Sequence, residues 1–203
     1  MKLKRCIILI LSLLSLSAAS FAARPNKEDA KDLGIAIDYF QSGKYHEALL
    51  YFARLDSLYR LNPRFRAYTA LCYYYDGDNR HAVRIFDVVL PQLTAFSPSE
   101  RSVYYRANAD AHQQLGQLDE AAAAYDSLLV LCHDNEKAEA YFQRGVIRTQ
   151  QQQWLSALDD LQSALVYYRR YQPEAKARIA QIRNMIVGCC DNINQMQDKR
   201  TEP

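Results

Sequence analysis

Four histidines, His46, His81, His112 and His133, and five cysteines are the side chains of this 203-residue chain best suited to proton transfer, nucleophilic attack or metal binding. Such chemistry needs partners at defined spacing: two histidines and a glutamate on one helix for zinc hydrolysis, a serine on a glycine-flanked elbow for acyl transfer, a glycine-rich loop ending in Lys-Ser/Thr for phosphate. The chain contains no HExxH, GxSxG or GxxxxGK[ST]. His46 and His81 begin two comparable segments with no carboxylate or thiol at metal-ligand spacing, which predicts solvated first-turn residues. The acidic pairs Asp119-Glu120 and Asp159-Asp160 are expected in the first turns of helices, where the positive end of the helix dipole favours them. Cys72 is expected as a small buried apolar residue; Cys132, Cys189 and Cys190 form no CxxC, and their redox state stays open. These patterns predict no catalytic centre, no cofactor and no metal.

What positions all of these residues is one phrase stated four times: SGKYHEALLYF at 42–52, DGDNRHAVRIF at 76–86, LGQLDEAAAAY at 115–125 and QQQWLSALDDL at 151–161. Aligned on Gly43, Gly77, Gly116 and Gln152, the copies fall 34, 39 and 36 residues apart. Five positions on stand Ala48, Ala82, Ala121 and Ala157, and four further on Phe52, Phe86, Tyr125 and Leu161. Seven positions before the turn stand Ala36, Ala70, Ala109 and Gly145. A period in the mid-thirties marks a solenoid, and these marks describe an antiparallel helix pair. Small residues on both helices let the backbones approach, the large residue fills the space toward the neighbouring pair, and the glycine turns the chain at positive φ. Tyr45, Leu118 and Trp154 begin second helices with a bulky anchor; Asn79 takes that place in copy two and predicts a looser turn.

Pro63, Pro98 and Pro173 are expected at helix starts, and Ser97 with Glu100 reads as a capping box. The extra residues of the 39-residue spacing lie around Pro91 to Phe96, a longer connection. After Pro173, Ile179, Ile182, Ile186 and Ile193 recur at helical spacing, which predicts a helix covering the last exposed core face. The expected organisation is a leader at 1–22, helix pairs near 30–61, 64–92, 98–132 and 137–171, a cap at 173–196 and a disordered tail at 197–203.

From about residue 30 to 171 the order small, aromatic, Gly, aromatic, Ala, large resembles the tetratricopeptide repeat family, with copy three the clearest and copy four lacking the turn glycine. The resemblance implies an all-α, right-handed α-solenoid of about four helix pairs plus the C-terminal capping helix. It also implies that a peptide or helical segment of a partner protein binds the concave face lined by first helices. The corresponding positions here are Leu33, Ile37, Phe40 and Gln41 in copy one, and Ala67, Leu71, Tyr74 and Tyr75 in copy two. Copy three supplies Arg106, Asp110 and Gln113, and copy four Phe142 and Val146. Members that clamp a terminal carboxylate resemble one another in presenting Lys and Asn here, and this chain presents Leu33, Ile37, Ala67 and Leu71 instead. The expected role is a protein-binding scaffold or adaptor, with Tyr74, Tyr75, Phe40, Leu71 and Ile37 as apolar anchors and Arg106 and Asp110 as polar registers. The alternative is a self-associating module whose groove is an oligomer interface.

The chain opens with Lys2, Lys4 and Arg5, an apolar run from Cys6 to about Leu16, and small residues to Ala22, the pattern of a secretory signal peptide of bacterial type. The run is shorter than the roughly 20 residues a membrane-spanning helix needs, so the mature chain is not expected to span a bilayer. Its removal takes away three bases and no acids, turning 25 Lys and Arg against 23 Asp and Glu into 22 against 23. Without a basic stripe there is little basis for nucleic-acid binding. Export to a periplasm is the expected localisation. Intact-mass measurement of protein from the producing cell should give a chain beginning at Ala23; a chain retaining Met1 would rule out the leader.

Overall fold

The computed structural model describes residues 26–201, so the leader assigned to 1–22 lies outside the described residues. Among them the helices run α1 Lys27–Gln41, α2 Tyr45–Tyr59, α3 Pro63–Tyr75, α4 Asn79–Val89, α5 Pro98–Gln114, α6 Leu118–Leu131, α7 Lys137–Gln150, α8 Trp154–Tyr171 and α9 Lys176–Thr201. Short 3-10 turns follow α4 at Leu90–Gln92 and precede α7 at Asp134–Glu136. Each helix packs on those next to it in sequence, pair upon pair, and α9 packs on α8. This is the all-α solenoid of four helix pairs and a cap.

The repeated small and large residues do what their spacing implies. Ala36, Ala48, Ala70, Ala82, Ala109, Ala121 and Ala157 are all fully buried, as are Phe52, Phe86, Tyr125 and Leu161. Gly145 shows how close the helices lie, because a Cβ there would sit 3.1 Å from Leu161 Cδ2 and 3.3 Å from Asp160 Cβ. The turn glycines obey a different demand. Gly43, Gly77 and Gly116 have φ of 72°, 85° and 74°, and a Cβ at each would meet nothing within 4 Å. Conformation, not space, selects glycine there. All four turns share one hydrogen-bond pattern: the turn residue donates to the carbonyl three back, and the next residue to the carbonyl five back, from Gly43 to Phe40 and Lys44 to Tyr39 through to Gln152 to Thr149 and Gln153 to Arg148. Copy two is no looser than the rest, contrary to what Asn79 suggests. Its bonds are 3.1 and 2.8 Å, and the Asp78 side chain accepts from the His81 N–H in place of a bulky anchor.

Several end assignments need correction. Asn26 and Asp29 form a capping box that starts α1 at Lys27. At α5, Ser97 accepts from the Glu100 N–H, but the Glu100 carboxylate does not return the bond; it accepts instead from Arg64 Nε and the Tyr104 hydroxyl, both at 2.8 Å. Pro63 and Pro98 begin helices, whereas Pro173 lies in the turn before α9. Asp119 and Glu120 occupy the first turn of α6, but Asp159 and Asp160 lie beyond the first turn of α8. Helix α9 continues to Thr201, so residues 197–201 are helical where the sequence suggests a disordered tail.

The cap buries Ile179, Ile182 and Cys189 against Ala138, Phe142 and Leu161, with Met185 and Ile186 beside them. Burying a side chain such as Ile182 contributes about 1.5–3 kcal/mol. The four cysteines of the described residues are free thiols, with Cys72, Cys132 and Cys189 buried. No helix among the described residues is long and apolar enough to cross a membrane.

Gln152 holds φ 58° where the other three turns use glycine. A left-handed conformation costs a non-glycine residue about 1–2 kcal/mol, part of which glycine returns through the freedom of the unfolded chain. Gln152→Gly should therefore raise stability by about 0.5–1 kcal/mol in denaturant unfolding. An unchanged or lower midpoint would show that the fourth turn is unstrained.

Candidate functional site

The last turn of α3 carries Tyr73, Tyr74 and Tyr75, and the helix sends each in a different direction. Tyr73 stacks on His81 of its own pair, with centroids 5.0 Å apart. Tyr74 reaches α5, where its hydroxyl donates to Asp110 Oδ2 at 3.2 Å. Tyr75 stacks flat on Tyr45 of the preceding pair at 4.2 Å and meets Tyr74 edge-on at 5.0 Å. Tyr75 remains 52% exposed. With Val103, also exposed, these rings form an apolar patch beside a cleft of about 90 Å³ lined by Tyr74, Tyr75, Ser102, Val103, Arg106, Ala107, Asp110 and Glu136.

Asp110 is held from two sides, because the fully buried Tyr125 of α6 also donates its hydroxyl to it. The Arg106 side chain, one turn earlier on α5, makes no side-chain hydrogen bond or ion pair among the described residues. The cleft thus combines aromatic walls, a fixed carboxylate and a free guanidinium. Such a lining can hold an apolar side chain and pair with a neighbouring polar group. Burial, then the charge of Asp110, pushes the Tyr74 hydroxyl up to about 12, and burial also raises Tyr75.

The structure brings together Tyr74, Tyr75, Arg106 and Asp110 and places the other expected residues less uniformly. Leu33, Ile37 and Phe40 are half-buried beside the core of the first pair, where Phe40 stacks on Tyr68 at 4.6 Å. Gln41 is exposed, Gln113 half-buried, and Val146 packs beside the cap. Ala67, Leu71 and Phe142 are corrections: at 0%, 3% and 2% exposure they are core residues and cannot line an open groove. The first helix of the following pair covers Ala67 and Leu71, bringing Tyr104 and Ala107 against them. The cap does the same to Phe142, over whose ring the Arg178 guanidinium lies at 4.2 Å.

Two features go beyond the sequence expectations. Tyr45, read only as a helix-start anchor, is the stacking partner that holds Tyr75 in place. Asp160 is buried and bonded by Arg144 at 2.5 and 2.9 Å. The signal that could have found this network is the pair Arg144 and Arg148, four residues apart and so on one helix face. Among the described residues, no three histidine, cysteine or acidic side chains gather as a metal site would require. His46 pairs with Asp76 at 3.1 Å and His81 with Asp78 at 2.6 Å, both at the surface.

No family model matches the sequence, and no curated protein matches it. Solved structures do resemble it. The 41-to-end portion of MamA from Desulfovibrio magneticus RS-1 superposes with TM-score 0.57 at 15% identity, covering 87% of this chain and 98% of that one. The TPR-like repeats of a putative kinesin light chain from Podosopora anserina give 0.58 at 14%, covering 87% and 98%. The C-terminal part of a TPR repeat-containing protein from Cytophaga hutchinsonii gives 0.56 at 15%, covering 79% and 61%. The fold is therefore that of a tetratricopeptide-like α-solenoid, and identities this low speak to the fold alone.

The raised Tyr74 value has a defined pH consequence. Its folded-state value lies above the ordinary 10.0, so its contribution to stability is complete below pH 10 and is lost as pH rises through about 12. Tyr74→Phe should lose less stability than the parent between pH 10 and 12 in denaturant titrations. Identical slopes would show that Tyr74 ionises as it does in the unfolded chain.

Proposed function

We propose that this chain is an exported protein-interaction scaffold, residing in a bacterial periplasm, that binds a peptide or helical segment of another protein on the face formed by its first helices. The observation that carries this proposal is the exposed ring of Tyr75 stacked on Tyr45 beside Tyr74 and Val103. A large ring held in one orientation loses little freedom when it is covered, and rigid tyrosines are common anchors of protein interfaces. Arg106 and Asp110, on the same helix, give the partner polar groups by which to fix its register. The buried Leu71, Ala67 and Phe142 are removed from the contact surface, which shifts its centre to Tyr75, Val103 and Arg106. Catalysis is not part of the proposal, because the cleft holds no base and nucleophile poised together.

The second reading is self-association through the same face, favoured by its apolar content. One experiment separates the two. A photoreactive residue at position 75, with a control at the exposed Gln162 of α8, should capture a distinct protein in the producing cell from position 75 only. Capture of a second copy of this chain would establish the oligomer reading instead, and capture of nothing would withdraw the binding face. With the photoreactive residue moved to the exposed Val103, Tyr75→Ala should abolish the capture with little change in melting temperature.

A further inference from the structure

Two successive interfaces of this solenoid share one layout and fill it differently. Asn108 and His112 stand eight and four positions before the turn residue Gly116, as Arg144 and Arg148 stand eight and four before Gln152. Asp87 and Asp126 each stand ten positions after their own turn residues, Gly77 and Gly116. In both cases an acid on the second helix of one pair faces two side chains on the first helix of the next.

At the later interface those two side chains are guanidiniums, and the site is full. Arg144 bonds Asp126 and holds Asp160 at 2.5 and 2.9 Å, while Arg148 reaches Asp160 at 2.9 Å. The Arg144 guanidinium lies 5.4 Å from the centre of the Tyr141 ring.

The earlier interface keeps the acid and the ring but has no guanidinium. Asp87 Oδ1 accepts from Asn108 Nδ2 at 3.2 Å and meets His112 Nε2 at 3.0 Å, while His112 Nδ1 lies 2.8 Å from Gln117 Oε1. The counterpart of Asp160 is Ala124, and that of Tyr141 is Tyr105. These shorter side chains leave a cleft of about 280 Å³, lined among others by Asp87, Tyr105, Asn108, His112 and Glu120 and by no lysine or arginine. Asn108 is only 5% exposed, and its Oδ1 has no hydrogen-bond partner. The Asp87 side chain itself is 52% exposed.

We propose that this cleft binds an arginine side chain of a partner protein, seated where the chain's own Arg144 would lie one repeat later. The guanidinium would lie over Tyr105 and donate to the accessible carboxylates of Asp87 and Glu120, against the wall that Asn108 forms. A planar fork of donors suits this set of acceptors, and the point charge of a lysine does not. The cleft uses Tyr105, Asn108 and His112 of α5, whereas the aromatic patch uses Val103, Arg106 and Asp110, so this inference stands or falls separately from the proposed binding face.

The test is a titration of isotope-labelled protein with a pentapeptide carrying one central arginine between glycines, beside the same peptide with citrulline or lysine. The arginine peptide should shift the Asn108 side-chain amide and His112 ring resonances, with the citrulline peptide binding at least about tenfold more weakly. Glu120→Gln should weaken binding while leaving Asp87, Asn108 and His112 joined. Asn108→Arg combined with Ala124→Asp rebuilds the later arrangement inside the chain and should abolish binding while the fold persists. Equal shifts from arginine and citrulline, no shift at all, or undiminished binding to the rebuilt variant would each overturn the proposal, and the cleft would then be a water site.

Discussion

The close approach of two helix backbones within each pair is the constraint on which the rest of this structure depends. At Gly145 the clearance is so small that a methyl group would touch Leu161 and Asp160, and the other pairs hold alanines with no exposed surface at the equivalent places. At this close approach the large residue of each copy packs beside the small one, as Leu161 does against Gly145. Phe52, Phe86 and Tyr125 each sit in a buried cluster that continues into the next pair, and Leu161 sits in one that continues into the cap. The turn needs a left-handed residue to reverse the chain in so few atoms, which explains why glycine appears three times and why Gln152 takes the same geometry regardless.

The fold was legible because it is written in residue size and repeat period, and both survive changes of polarity. The site was less legible. Tyr74 and Tyr75 stood out because Tyr73 already filled the inward position, and Asp110 and Arg106 followed from their register. Leu71, Ala67 and Phe142 share the register of surface positions, yet the next first helix lies across Ala67 and Leu71 and the cap across Phe142. That covering depends on how tightly successive pairs nest, a three-dimensional quantity that spacing alone does not contain. The same reason explains Glu100, whose place after Ser97 invites a local cap but whose carboxylate is drawn to Arg64 and Tyr104 by the neighbouring pair. The acid pair at 159–160 was misplaced although Trp154 begins α8 as expected: Leu155 to Leu158 intervene, so the pair falls past the first turn and Asp160 lies inside the interface.

Polar groups in this molecule divide its surfaces by purpose. Asp160 is buried with two guanidiniums and joins the last two first-and-second helix pairs of the repeat array through Arg144, Arg148 and Asp126. Breaking such a set by removing one partner is costly, since a charge is left without compensation away from water. Asp110 joins Tyr74 of one pair to Tyr125 of the next in a gentler version of the same device. Asp87 occupies a third such position with weaker company. Interfaces of one architecture thus range from sealed to open, according to the length of two side chains.

The packing of each helix against its immediate neighbours in sequence also bears on how the chain reaches this shape. Contacts between nearby segments require only short loops to close, and chains dominated by them fold faster than chains that must join distant strands. A helix pair and its neighbour can form before the rest of the array exists, and growth can then proceed in either direction. The cap is the exception in consequence if not in geometry: Ile182 and Cys189 have no surface to cover until α7 and α8 are in place, so α9 can dock only after the fourth pair has formed.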